Sequence, residues 1–159
     1  MFKVGDKMLH PLHGIGVIEA VTEQEVLGEV RKYFVVNLTM KKMKIMVPVG
    51  NVEEIGIRKI MKSDQIEEIL GVLKSKRMSQ MPSNWNRRYK FNLDKIKTGD
   101  IKEVAEVLKN LSLKEKKKGL SMGEKKMLEN VRNLLVGEIV YSRNVDYKQA
   151  QTFIDEALH

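Results

Sequence analysis

The chain is expected to fold as an α+β protein of two domains: a small SH3-like β-barrel over residues 1–56 and an all-α helical bundle over residues 63–159, joined by a connection at 57–62. Three observations support this. Apolar and β-branched residues recur at strand spacing up to Gly56 and at helical spacing beyond it. Three helix-capping signatures fall in the second part. The net charge of +8 also lies wholly there, since residues 1–56 hold 7 Lys+Arg against 7 Asp+Glu and residues 57–159 hold 22 against 14. Such asymmetry points the second part toward a polyanion, the alternative being a solvated helical surface with surplus lysine.

The elements follow in order. Phe2-Lys3-Val4-Gly5-Asp6-Lys7-Met8 enters through a Gly-Asp turn. Residues 15–26 and 30–38 are rich in β-formers and flank a hairpin turn at Leu27-Gly28-Glu29. Residues 39–42 connect to a strand at 43–49, and Pro48 marks that strand as an edge or a terminus because proline cannot donate to the ladder. Several short strands in about 50 residues make a small, strongly bent sheet or barrel.

After Gly56, Ser63 is placed to cap a helix with Ile66, Ile69, Leu70 and Leu73 on one side. Residues 74–82 have few apolar anchors and read as a loop. Ser83 or Asn84 caps a helix carrying Trp85, Tyr89, Leu93 and Ile96, which Gly99 ends in the left-handed conformation. Asp100-Ile101-Lys102-Glu103 is a capping box before a stripe of Ile101, Val104, Leu108 and Leu111. Ser121-Met122-Gly123-Glu124 is a second, opening a long helix through Met127, Leu128, Val131, Leu134, Leu135 and Glu138. Asp146-Tyr147-Lys148-Gln149 opens the last helix, with Ala150, Ile154 and Leu158 facing inward.

Much chemistry is excluded. The absence of cysteine removes disulfides, thiolate nucleophiles and cysteine zinc sites. No apolar run approaches the roughly 20 residues of a membrane span, and the N-terminus has no export signal, so a cytoplasmic protein with no membrane contact is expected. His10 and His13 have a spacing that could supply two metal ligands, but no third is near, so no metal is expected. Gly14-Ile15-Gly16 does not continue into a nucleotide fingerprint and is read as a tight turn. No triad or carboxylate pair has a recognisable setting, so the chain is read as neither an enzyme nor a cofactor binder.

Asn84-Trp85-Asn86-Arg87-Arg88-Tyr89-Lys90 is different. It sets the only tryptophan in the first turn of a helix beside Arg87, Arg88 and Lys90. A helix N-terminus favours phosphate, and a flat apolar ring can stack on an exposed base or wedge a base step. The competing reading makes Trp85 a core anchor at helical spacing with Tyr89, Leu93 and Ile96. Lys114-Glu115-Lys116-Lys117-Lys118 and Lys125-Lys126 flank the Ser121 box; they could straddle a phosphate backbone or form a solvated charge run.

At these residues the chain resembles the CarD/CdnL family of bacterial transcription regulators over nearly its whole length. In the first part the resemblance rests on Phe2-Lys3-Val4-Gly5-Asp6, Pro11-Leu12-His13-Gly14, Gly28-Glu29, Tyr33, Val47-Pro48-Val49 and Gly56-Ile57-Arg58. In the second it rests on the Asn84-to-Lys90 run, Asn92-Leu93, Gly99-Asp100, Val104-Ala105-Glu106-Val107, Gly119-Leu120-Ser121, Gly123-Glu124-Lys125-Lys126-Met127-Leu128 and Leu135-Val136-Gly137-Glu138. The first set also fits the polymerase-interacting module of transcription–repair coupling factors.

The resemblance implies a Tudor-like β domain that binds the RNA polymerase β subunit by strand addition, and a helical domain that binds promoter DNA. Polymerase contacts would come from Lys44, Ile45, Met46 and Val47 with the hairpin residues Gln24, Val26 and Leu27. Gln24 and Met46 stand where the actinobacterial branch tends to carry arginine, which puts charge contacts in question but not backbone pairing. Trp85 would wedge into the minor groove at the upstream fork of the transcription bubble, with Arg87, Arg88, Lys90, Lys125 and Lys126 on phosphates. The implied role is a non-catalytic regulator that stabilises the open complex. The runner-up is a free-standing RNA-binding protein using its SH3-like barrel, against which the neutral charge of residues 1–56 argues. A monomer is expected, with domain exchange through the Gly56-to-Ser63 connection left open.

Overall fold

The computed structural model describes residues 1–77 and 80–159, and the chain divides into two compact units, Met1–Ile60 and Met61–His159. The first is the expected small β domain. Strands β1 (Lys7–His10), β2 (Gly14–Val26), β3 (Glu29–Leu38) and β4 (Lys44–Pro48) form an antiparallel sheet in that order, followed by a 3-10 turn at Val49–Asn51 and the short helix α1 (Val52–Ile55). A register shift between Ile18 and Ala20 bends β2. The core comprises Met8, Ile18, Phe34, Val36, Leu38, Val47 and Ile57.

Two glycines have different tasks. A side chain at Gly16 would collide with Val36 Cγ1, so Gly16 lets β2 lie close on β3 rather than making the turn expected of it. Gly28 takes φ 81° in the hairpin turn, beside Leu27 at φ 53°. Beyond Tyr33 the hairpin pairs with no further strand among the described residues: β1 pairs with β2 at residues 14–17, and β4 with β3 at residues 33–37. Residues 22–26 and 29–32 therefore form a two-stranded arm. The unit boundary also moves. Residues 57–60 belong to the β unit, because Ile57 is buried in its core and Arg58 pairs with Leu9.

The second unit is a helical bundle of α2 (Ser63–Lys74), α3 (Trp85–Lys97), α4 (Ile101–Lys117), α5 (Met122–Arg143) and α6 (Tyr147–Leu158). α5 is the central element, buried almost all round from Leu134 to Ile139. Its Glu138 carboxylate, fully buried, accepts the Met61 backbone N–H at 3.0 Å and so fixes the start of the unit on that helix. Asn84, Asp100, Ser121 and Asp146 accept first-turn N–H groups as N-caps, and Gly99 takes φ 73° behind α3. Capping boxes close at Ser121/Glu124 and Asp146/Gln149, but Glu103 does not reach back to Asp100; it lies 3.7 Å from Lys95.

Three sequence expectations shift in phase. Ser63 is the first helical residue rather than the cap, and Gln65 Oε1 reaches back to the Lys62 N–H at 2.9 Å. In α6 Ala157, not Leu158, completes the inward face with Ala150 and Ile154. In α3 the buried stripe is Arg88, Asn92 and Ile96, leaving Tyr89 and Leu93 at its margin and Trp85 outside it. The stripe is hidden in the sequence because two of its three members are polar.

The turn after β1 makes the β unit sensitive to acid. His10 Nδ1 accepts the backbone N–H groups of Leu12 and His13 at 3.1 and 3.3 Å, and its ring lies 4.5 Å from that of His13. Burial, then the neighbouring His13, then Lys41 lower the His10 pKa from 6.5 to about 4. Between those values the unfolded chain binds more protons than the folded one, so stability falls as the pH falls through that window and is complete above it. Urea unfolding of the β unit at pH 7 and pH 5 should show the loss. His10→Asn, which keeps an acceptor but cannot titrate, should flatten this dependence; an unchanged slope would locate the effect elsewhere.

Candidate nucleic-acid and polymerase interfaces

The helical site begins with two helix N-termini. Asn84 Oδ1 accepts the Arg87 N–H at 3.2 Å to start α3, and Ser121 Oγ accepts the Glu124 N–H at 3.3 Å to start α5. What joins them is a buried ion pair. Arg88 donates from Nε to Glu124 Oε2 at 2.7 Å and from Nη2 to Oε1 at 3.0 Å, while Nη1 donates to the Ser83 carbonyl at 3.0 Å. Arg88 is 8% exposed and Glu124 1%. The arginine hydrogen bonds hold the Glu124 carboxyl below the usual range against the upward push of burial, and the same bonds raise the Arg88 pKa further.

Arg88 differs from the other expected phosphate contacts: three of its five N–H donors are held inside the protein, where the bidentate pair joins two helices. The aromatic beside it is placed by the same framework. Trp85 donates its indole N–H to Ser121 Oγ, and its ring lies 6.1 Å from Tyr89 at an interplanar angle of 26°. Gly123, in the first turn of α5, faces both rings. Trp85 as a whole is 45% exposed, held by its N–H and flanked by Tyr89 and Gly123, with the rest of its surface in solvent.

The remaining cations lie outside. Arg87 and Lys90 on α3 and Lys125 and Lys126 on α5 are all exposed, and none forms an ion pair among the described residues. Lys114, Lys117 and Lys118, at the end of α4, line an open groove of about 830 Å³ together with Gln80, Ser83 and Arg88. The α3–α5 contact thus collects Trp85, Arg87, Lys90, Lys125 and Lys126 at two adjoining helix starts. Ser121 and Glu124 are the site residues that sequence reasoning missed. Both are visible there only as halves of a local capping box, while their partners are 36 residues away.

In the β unit the expected polymerase contacts divide. β4 is an edge strand with β3 as its only neighbour among the described residues. Lys44 and Met46 are exposed, Lys44 lying 3.0 Å from Glu19. Val47 is buried in the core and Ile45 packs against it. Leu38 donates to Met43 across the ladder, so by alternation Ile45 and Val47 direct their backbone groups to β3, and the backbone free for a partner strand is that of Lys44 and Met46. Gln24, Val26 and Leu27 are exposed on the arm, with Gln24 opposite Arg31. The arm and edge meet where Pro48 faces Tyr33, two residues from Arg31. Among the described residues no group of three or more His, Asp or Glu side chains could hold a metal ion, and no helix is long and apolar enough to cross a membrane.

The buried pair has a measurable signature. Arg88→Leu leaves Glu124 buried without its partner and should cost the helical unit about 3–5 kcal/mol in urea unfolding. Replacing both by leucine should recover more than half of that loss, because the uncompensated charge is gone. A loss below about 1 kcal/mol for Arg88→Leu would show an exposed pair instead.

Comparison with known proteins gives the same division. Residues 2–61 match the family described as CarD-like/TRCF RID domain, and residues 68–155 match that described as CarD, C-terminal domain. The chain is 35% identical over 153 residues to YdeB of Bacillus subtilis (strain 168), a candidate transcription factor by its name, covering 96% of this chain and 99% of that protein. Two domain matches in order and a relative of equal span establish the relationship: the chain belongs to the CarD/CdnL family of transcription factors.

Proposed function

We propose that this protein binds the RNA polymerase β subunit through its N-terminal unit and promoter DNA at the upstream edge of the bubble through its helical unit, stabilising the open complex. The observation that carries the DNA half is the half-exposed Trp85, held by Ser121, on the same two helix starts as Arg87, Lys90, Lys125 and Lys126, which are exposed and form no ion pair among the described residues. A base–aromatic contact is worth about 1–3 kcal/mol. Wedging a base step costs about a few kcal/mol in intact duplex and less at a fork already unstacked. A ring that gains more at the fork than in duplex shifts the promoter toward melting by that difference alone. The surrounding cations add affinity that is independent of sequence and falls with salt.

The polymerase half is supported by the family match of the β unit, a domain type named for interaction with RNA polymerase, and by the single-neighboured edge of β4. An unpaired edge offers backbone donors and acceptors to a partner strand, whatever the side chains beside it. Holding the enzyme keeps the helical unit at high local concentration near the fork, so its own grip on DNA need not be strong. The neutral charge of residues 1–56 speaks against a separate nucleic-acid site there.

The direct test is open-complex lifetime with purified polymerase, with and without this protein; no change in lifetime would remove the function. Trp85→Ala should shorten that lifetime while leaving helical content and melting of the second unit nearly intact, because Trp85 lies outside the Arg88/Asn92/Ile96 stripe. Unfolding of the bundle by this substitution would instead make Trp85 a core anchor. Arg87→Glu and Lys90→Glu should each weaken binding to forked DNA. Each should also lower the slope of log affinity against log salt by about 0.9 for every phosphate that is no longer neutralised.

A further inference from the structure

We propose that Leu27 is an apolar plug that seats the β unit in an apolar pocket of RNA polymerase; this rests on the polymerase reading above and specifies its chemistry. The arm turns in two residues, Leu27 and Gly28, at φ 53° and 81°. Turns of this kind favour Asn, Asp or Gly at the first position, since the Cβ of other L-residues crowds the backbone when φ is positive. Leucine is therefore strained there. Its side chain is also 98% exposed, so no contact within the protein offsets that strain. A position both strained and solvated in its apolar surface points to a task outside the unit.

The surroundings match such a task. Val26 faces Glu29, and Val30 faces Glu25 one step back, which puts the two exposed valines on opposite faces behind the tip. Charges on the arm nearly balance, with Glu23, Glu25 and Glu29 against Arg31 and Lys32: Glu29 lies 3.5 Å from Arg31, Glu23 faces Lys32, and Glu25 faces Val30. Gln24 adds hydrogen-bonding capacity without charge. The arm thus presents an apolar point with little net field, and the partner chemistry it fits is a leucine-sized apolar recess rather than an acidic patch. Because, among the described residues, 22–26 and 29–32 pair only with each other, the plug can be gripped without disturbing the core.

The full-length chain carries the test, with affinity for purified RNA polymerase and amide exchange across β2 and β3 measured together. Leu27→Asn should weaken binding at least about tenfold while exchange in the arm slows or stays the same, and Leu27→Met should bind within about threefold of the parent. For the parent chain, raising salt from about 50 to about 300 mM should change affinity less than about threefold. Leu27→Asn binding as tightly as the parent overturns the plug, and so does a loss of binding accompanied by faster exchange in the arm. A parent chain that does not bind polymerase at all removes the polymerase reading, and the plug with it.

Discussion

The helical unit is organised by one ionic contact, Arg88 with Glu124. A carboxylate and a guanidinium taken out of water cost several kcal/mol each, and only a bidentate fit with further hydrogen bonds returns that energy. Here the further bonds are the Ser83 carbonyl on one side and Ser121 on the other. The pair therefore does more than lock α3 to α5. Ser121 donates its hydroxyl proton to Glu124 and accepts the indole N–H of Trp85, so the ring's attitude follows from the ion pair through one shared oxygen. An aromatic placed at the rim by a polar chain can remain half in solvent without losing its orientation. Packing alone would have had to bury it.

The β unit solves a different problem. Seven buried apolar residues hold a sheet that leaves one edge and one arm without neighbours. The side chains of β4 alternate between the core and solvent, which explains why Ile45 and Val47 stabilise the strand whose edge is on offer. The two units thus present different kinds of surface. One exposes backbone and an apolar tip near zero net charge, and the other exposes cations around a fixed ring.

How far these features are legible depends on the range of the interactions. The boundaries of β2, β3 and β4 and the Leu27-Gly28 turn are set by neighbours a few residues apart, and the sequence pattern places them within a residue or two, whereas β1 (Lys7–His10) lies later than the opening segment read at residues 2–8. The same holds for the caps at Asn84, Ser121 and Asp146, whose partners lie within one turn. The face of α3 is misread from sequence because burial of Arg88 requires a glutamate from another helix, and no local pattern announces it. Ser63 loses the cap for a smaller reason: the helix begins one residue earlier than expected, and Asp64 Oδ1 accepts the first-turn N–H of Gln65 at 3.0 Å while Gln65 reaches back to the Lys62 N–H. Leu158 yields to Ala157 at the end of the last helix, where the smaller residue turns to the bundle interior. Residues 57–60 look like linker because their contacts, Ile57 with the core and Arg58 with Leu9, return to the start of the chain. For the site, residue types are legible and geometry is not: a lone tryptophan among cations is visible in sequence, but the hydroxyl that aims it is not.

The short edge of β4 has one more consequence, for the protein in a crowded solution. Lys44 stands at its start and Pro48 at its end, so the stretch of edge free of charge and of proline is limited to residues 45–47. Copies of a chain stack into cross-β fibrils through uninterrupted segments of about six or seven residues. Three are too few to template such growth, and a charged side chain at one end and a missing N–H at the other discourage extension. An edge can thus stay open to a specific guest while remaining a poor seed for aggregation.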